Sequence, residues 1–200
     1  MRGLITNNAN AIAIFFLAMA TVAIRAIGWG DPASDFDEQL YALIGEQMLQ
    51  GQWPYVDLWD RKPFGLFAIF AFAHATGWSG PEAYQALAGV CAFVTAVLTY
   101  AIANRMTGKL TAFSVTLLML VLLSVYGAGS GQSEVFLLPL MLGMVWMLRD
   151  PRDSSFEQRT LMAMLLGGFA LQVKYTVLPQ CLALGLYACL LYTSPSPRDN

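Results

Sequence analysis

Apolar residues run through this chain in long unbroken stretches, not in the alternation of a half-buried strand or the one-sided stripe of a soluble helix. The stretches at 11–29, 84–103, 110–126 and 161–177 meet or approach the roughly 20 residues a helix needs to cross a hydrocarbon core. Those at 135–148 and 178–192 are shorter, yet each spans if the bilayer thins locally or flanking residues snorkel. The stretch at 64–76 is short enough either to cross or to lie along the surface. The pattern predicts an all-α fold: a polytopic membrane protein with about six transmembrane helices, plus amphipathic juxtamembrane helices in a first long loop at 30–83.

Within that loop, Ser34-Asp35-Phe36-Asp37-Glu38 reads as a helix start, with Ser34 or Asp35 as cap and the acids at the positive end of the dipole. Leu40, Leu43, Ile44 and Met48 follow at helical spacing, so the segment is expected to lie on the membrane surface. Gly51 ends it, and Trp53, Tyr55 and Trp59 are residues that settle at a headgroup boundary.

Charge decides the sidedness. Short cytoplasmic loops are enriched in Lys and Arg, and Arg2, the Arg105/Lys109 loop and the Arg149/Arg152/Arg159 loop all share a side only if 64–76 lies along the surface. The N-terminus is then expected in the cytoplasm of a bacterial cell, and the acidic loop, the 77–83 segment and the 127–133 turn on the outer face. Met1-Arg2-Gly3 resembles the start of a signal peptide, but Asp31-Pro32 follows the first stretch where a cleavage pattern would stand, so that stretch is expected to remain as an anchor.

With 57% hydrophobic and 12% charged residues and a mean hydropathy of +0.55, the chain carries more apolar surface than a soluble core of this size hides. A net charge of −2 gives no basic face, which argues against a nucleic-acid partner. Cys91, Cys181 and Cys189 lie inside apolar stretches and read as packing residues. Asp31, Asp35, Asp37, Glu38, Glu46, Asp57 and Asp60, seven of the 13 acidic residues, fall in the thirty positions 31–60 of the first loop, a stretch that runs into Arg61-Lys62-Pro63. Charge beside lipid is costly and marks function or interfacial anchoring.

The order Asp37-Glu38, Tyr41, Gly51-Gln52-Trp53-Pro54-Tyr55, Asp57, Asp60 and Lys62-Pro63 resembles the first outer loop of the GT-C membrane glycosyltransferases. The nearest branch is family 39, related to protein O-mannosyltransferases and the lipid A aminoarabinose transferase. Members carry an Asp-Glu pair and then G-x-x-P-Y-x-D-x-x-x-x-K-P-P; here Phe64 replaces the second proline. Gly77, Asn104-Arg105-Met106-Thr107-Gly108, Gln132-Ser133-Glu134 and Lys174 continue the likeness more weakly.

The resemblance implies transfer of a sugar from a polyprenyl-phosphate donor to a hydroxyl of a glycan, lipid or protein acceptor, with inversion, at the outer face of the cytoplasmic membrane. It also implies that residues 1–192 are the N-terminal part of a larger transmembrane domain, a fragment not expected to act alone. Such chemistry needs a carboxylate to take the hydroxyl proton and cations to hold the departing phosphate. Asp37 is the candidate base, with Glu38 orienting the site or binding acceptor or sugar. Lys62, Arg61, Lys174 and Arg25 are candidates for the phosphate, and Asp35, Asp57 and Glu134 are further candidates.

Each candidate has a plainer reading. Asp35, Asp37 and Glu38 suit a helix start, Asp57 and Asp60 suit turns or a pair with Arg61, and Glu134 opens a helix. Lys62, Lys174 and Arg25 suit snorkelling anchors, and His74 suits packing. The spacing of Asp35, Asp37 and Glu38 matches no dedicated metal loop; the resembling branch needs none, and a divalent ion stays a minor alternative to having no cofactor. Residues 193–200 form a doubtful tail, and the run 191–199 resembles translated adapter sequence. The rival readings are a transporter or flippase-like protein, which would place charges on broken helices near the midplane, and a non-catalytic part of an envelope-assembly complex.

Overall fold

A computed structural model describes residues 2–32, 34, 36–78 and 80–193; the expectations for Met1, Asp35 and the tail from 194 fall outside these. The described residues are all-helical: α1 (Arg2–Arg25), α2 (Phe36–Leu49), α3 (Phe64–Ala75), α4 (Pro81–Met106), α5 (Lys109–Leu123), α6 (Ser133–Met147), α7 (Phe156–Val173) and α8 (Leu178–Thr193). Three stretches, Asn8–Gly28, Pro81–Met106 and Lys109–Ala128, are long and apolar enough to cross a membrane. The helices α3 and α6 and the segment Tyr175–Leu191 are apolar but shorter.

Small side chains let the long helices approach closely. On α4, Ala88, Ala92 and Ala96 repeat every fourth residue and are buried, so one face meets its neighbours almost backbone to backbone. Leu17 of α1 and Ala112 and Leu120 of α5 pack with Ala96 and Tyr100 of α4. Large apolar side chains such as Phe15, Val22, Val90, Leu118 and Phe169 point outward, as they do where the solvent is lipid.

Helix α3 lies across one end of this bundle. Its twelve residues reach about 18 Å, well short of a hydrocarbon core. Near its start, a Cβ on Gly65 would sit 2.7 Å from the Gln172 carbonyl at the close of α7. Near its end, the His74 ring meets Tyr84 in the first turn of α4. Both anchors are at the same end of the bundle. His74 packs against Tyr84, as its plainer reading has it, and faces Glu46 at 3.7 Å.

Helix α2 crosses α3 at backbone contact, because a Cβ on Gly45 would come within 2.7 Å of the Ala71 nitrogen. Its inward face is Glu38, Tyr41, Ile44 and Gly45, while Leu40, Leu43 and Leu49 are exposed. The apolar set read from periodicity is therefore divided: Ile44 turns inward, and Leu40 and Leu43 form a second apolar flank. A stripe count cannot separate the two, since both flanks of an interfacial helix are greasy.

Two helices end where the sequence did not mark a stop. After α5 the chain widens into a π-type turn at Ser124–Ala128, where Gly127 takes a φ of +86°. Helix α7 starts before the 161–177 stretch and stops inside it, at Val173; Lys174 is extended, and a single 3₁₀ turn, Tyr175–Val177, leads into α8.

Candidate functional site

Polar side chains converge where the end of α1, the starts of α2 and α4 and the loop before α6 meet. Glu38, in the first turn of α2, is fully buried and accepts a hydrogen bond from the Gly131 backbone N–H at 2.5 Å. Tyr84 is also hydrogen-bonded to Glu38, and the Arg25 guanidinium lies within electrostatic reach of it. Arg25 itself donates to the Ser130 carbonyl at 2.6 Å and the Ala128 carbonyl at 3.4 Å. Gln85 completes the layer, accepting from the Gly30 N–H at 2.7 Å and donating to the Asp31 carbonyl and the Ser130 hydroxyl, each at 3.2 Å. Four separate segments are thus tied together by polar groups that burial makes costly to leave unmade.

Asp37, the next residue on the same helix, points the other way. Its carboxylate is 56% exposed, accepts a hydrogen bond from the Tyr41 hydroxyl at 3.1 Å, and faces Lys62 Nζ at 3.9 Å. That separation is too long for a hydrogen bond, so the contact is coulombic. Lys62 is 15% exposed on its side chain and holds its ammonium 5.5 Å from the centre of the Tyr41 ring. Burial, and after it the charge and hydrogen bond of Asp37, hold the Tyr41 phenol well above the ordinary tyrosine range, with Asp60 and Glu134 adding to the push. Tyr41 therefore stays a hydrogen-bond donor to Asp37 around neutral pH, with Asp60 and Glu134 also within electrostatic reach.

The loop from Gly51 to Pro63 aims Lys62. Gly51 takes a φ of +91° and Tyr55 one of +69°, which reverse the chain after α2. The Asp57 carboxylate accepts from the Trp53 N–H at 2.8 Å, and the Asp60 carboxylate from the Lys62 N–H at 2.8 Å. The Tyr55 hydroxyl closes the loop by donating to the Lys62 carbonyl at 2.6 Å. With its backbone held on both sides, Lys62 extends under Tyr41 toward Asp37.

A second ion pair stands nearby. Lys174, where the chain leaves α7, contacts Glu134 in the first turn of α6, and Ser133 hydrogen-bonds the other oxygen of Glu134. These charges lie at the opposite end from Arg105, which pairs with Asp150. Gln85 and Arg105 are twenty residues apart on α4, about 30 Å along a helix.

Of the sequence candidates, Asp37 and Lys62 are brought together directly, and Glu134 and Lys174 pair beside them. Glu38 is adjacent but sealed, in keeping with an orienting role. Arg25 ties α1 to the 128–130 carbonyls, Asp57 and Asp60 serve the turn, and Arg61 is exposed. The pairing of Asp57 or Asp60 with Arg61 is replaced by these turn bonds. Tyr41 as a donor, Tyr84 and Gln85 were not candidates; a glutamine near the start of an apolar span was the available signal for the last.

Chemically, a half-exposed carboxylate beside a tyrosine donor and an ammonium suits taking a proton from a bound hydroxyl while a neighbouring anion is held. Among the described residues, no three His, Cys, Asp or Glu side chains converge in a way that would hold a metal ion. Cys91 and Cys181 pack against the main core and Cys189 is exposed. Comparison with family models, curated proteins and solved structures finds no match for this chain.

Proposed function

We propose that this chain is the N-terminal part of an integral-membrane glycosyltransferase of the GT-C class, with Asp37 as general base. It takes a sugar from a polyprenyl-phosphate donor and passes it to an acceptor hydroxyl at the outer face of the cytoplasmic membrane. About six helices span the bilayer in this reading, α6, α7 and α8 among them, with the N-terminus in the cytoplasm. The observation that carries it is the Asp37–Tyr41–Lys62 arrangement, a proton acceptor and a phosphate-gripping amine facing one another at a rim.

Two apolar grooves support a lipid-borne donor. One of about 540 Å3 lies between α1 and α4 and ends at Arg25 and Gln85; the other, about 490 Å3, lies between α5 and α6 and ends at Glu134. The groove that ends on a cation is the better match to a polyprenyl phosphate, whose tail needs a greasy wall and whose head needs a positive charge.

The test is transfer of radiolabelled sugar from a polyprenyl-phosphate donor, measured in membranes containing the complete protein with and without Asp37→Asn. Transfer is lost in the variant while protein level and donor binding persist. Undiminished transfer would remove Asp37 as the base.

A further inference from the structure

The end of the bundle away from the candidate site carries a second groove with a different character. It has a volume of about 400 Å3 and lies between α4, α6 and α8, with Ile102, Val145 and Leu184 as walls and Arg105, Trp146 and Arg149 at its rim. The Arg149 guanidinium stacks on the Trp146 ring at 3.8 Å, and Arg105 approaches the same ring at 6.0 Å. The indole thus holds two guanidiniums close together, a placement that cation–π attraction favours and mutual repulsion opposes.

A carboxylate already shows what this pair is shaped to hold. Asp150 accepts from Arg105 Nη2 at 2.7 Å through one oxygen and lies 3.2 Å from Arg149 Nε through the other. Arg149 Nη1 also donates to the Trp146 carbonyl at 2.5 Å, at the end of α6. Each guanidinium carries five N–H donors, so these contacts leave donors on both toward the groove mouth. Asp153 also lies within electrostatic reach of Arg149 but is paired with Arg159, so Arg105 and Arg149 against Asp150 leave the rim net positive, above a wall of aliphatic side chains.

From this geometry we infer that the groove binds an anionic phospholipid, its phosphate on Arg105 and Arg149 and one acyl chain along Ile102, Val145 and Leu184. Basic pockets between transmembrane helices recognise anionic headgroups through the same combination. The site needs only that the helices lie in a bilayer and is independent of the transfer chemistry proposed for the other end. Asp150 acts as a built-in competitor that keeps the arginines in place when no lipid is bound.

The experiment is thermal unfolding of the purified chain in a neutral detergent at fixed salt. It is supplemented with dioleoylphosphatidylglycerol, dioleoylphosphatidylcholine or free glycerol phosphate. Phosphatidylglycerol raises the unfolding temperature by about 3 °C or more, and the other two do not. The rise disappears in Arg149→Gln and Arg105→Gln. It also disappears in Leu184→Trp, which fills the groove and keeps the charges, so the result stands if one variant fails to fold. Arg152→Gln, which removes an exposed charge at the same end, retains it. An equal rise with phosphatidylcholine or glycerol phosphate overturns the inference, as does a rise that survives Leu184→Trp. An equal loss in Arg152→Gln means diffuse surface attraction and overturns it too.

Discussion

At one end of the bundle Glu38 and Arg25 are withdrawn from solvent and bonded to backbone groups 93 to 105 positions away. At the other, Arg105, Arg149 and Arg159 lie partly in solvent and meet carboxylates by side chain alone, Arg149 and Arg159 within one loop at Asp150 and Asp153 and Arg105 reaching Asp150 from the end of α4. The same chemistry does different work in the two places. Buried charges bonded to distant backbone decide where a loop goes, whereas exposed ion pairs contribute little to the fold and remain open to exchange with a ligand.

The sharpest way to break this contrast is within a single helix turn. Asp37→Asn is expected to lower transfer by about 10²–10⁴-fold with the fold unchanged, measured as the initial rate at saturating donor. Glu38→Ala should instead lower stability by about 3–5 kcal/mol, read by chemical unfolding, because it removes the countercharge of Arg25 and the acceptor of the Gly131 N–H and the Tyr84 hydroxyl. If the stability loss fell on Asp37 and spared Glu38, the assignment of the two roles would be reversed.

Smaller effects sharpen the comparison. Lys62→Ala should raise the half-saturating donor concentration about tenfold, seen in a donor titration, in line with one charged hydrogen bond to phosphate. At the far end, Asp150→Asn is expected to change stability by no more than about 0.5 kcal/mol. The weakest effect is an alkaline one. The Tyr41 phenol is raised, so its contribution to stability is complete below the ordinary tyrosine value near pH 10 and is lost as pH climbs through its folded value. Tyr41→Phe should flatten the alkaline limb of a stability profile.

The long apolar helices were legible in the sequence because lipid demands about twenty greasy residues in a row and little else does. That 64–76 forms one short helix, α3, was legible as a short apolar run between Pro63 and Gly77, whereas its surface placement rests on where Arg2, Arg105 and Arg149 fall and belongs to the proposed reading. Less legible was the division of labour between Asp37 and Glu38. Adjacent helical residues point about 100° apart, and which one faces inward depends on Gly45 meeting Ala71 across the crossing, a contact between separate helices. The stop at Val173 was hidden for a similar reason: Lys174 is drawn to Glu134, forty positions earlier.

Because Gly65 is fitted against Gln172, the acidic hairpin cannot reach its final seat until more than a hundred further residues have left the ribosome. Until then α3 packs on α2 through Tyr41, and Phe70 lacks the Tyr84 and Phe136 rings that later cover it. The end of α7 closes the seat, so assembly of the rim is a late event set by the order of the chain.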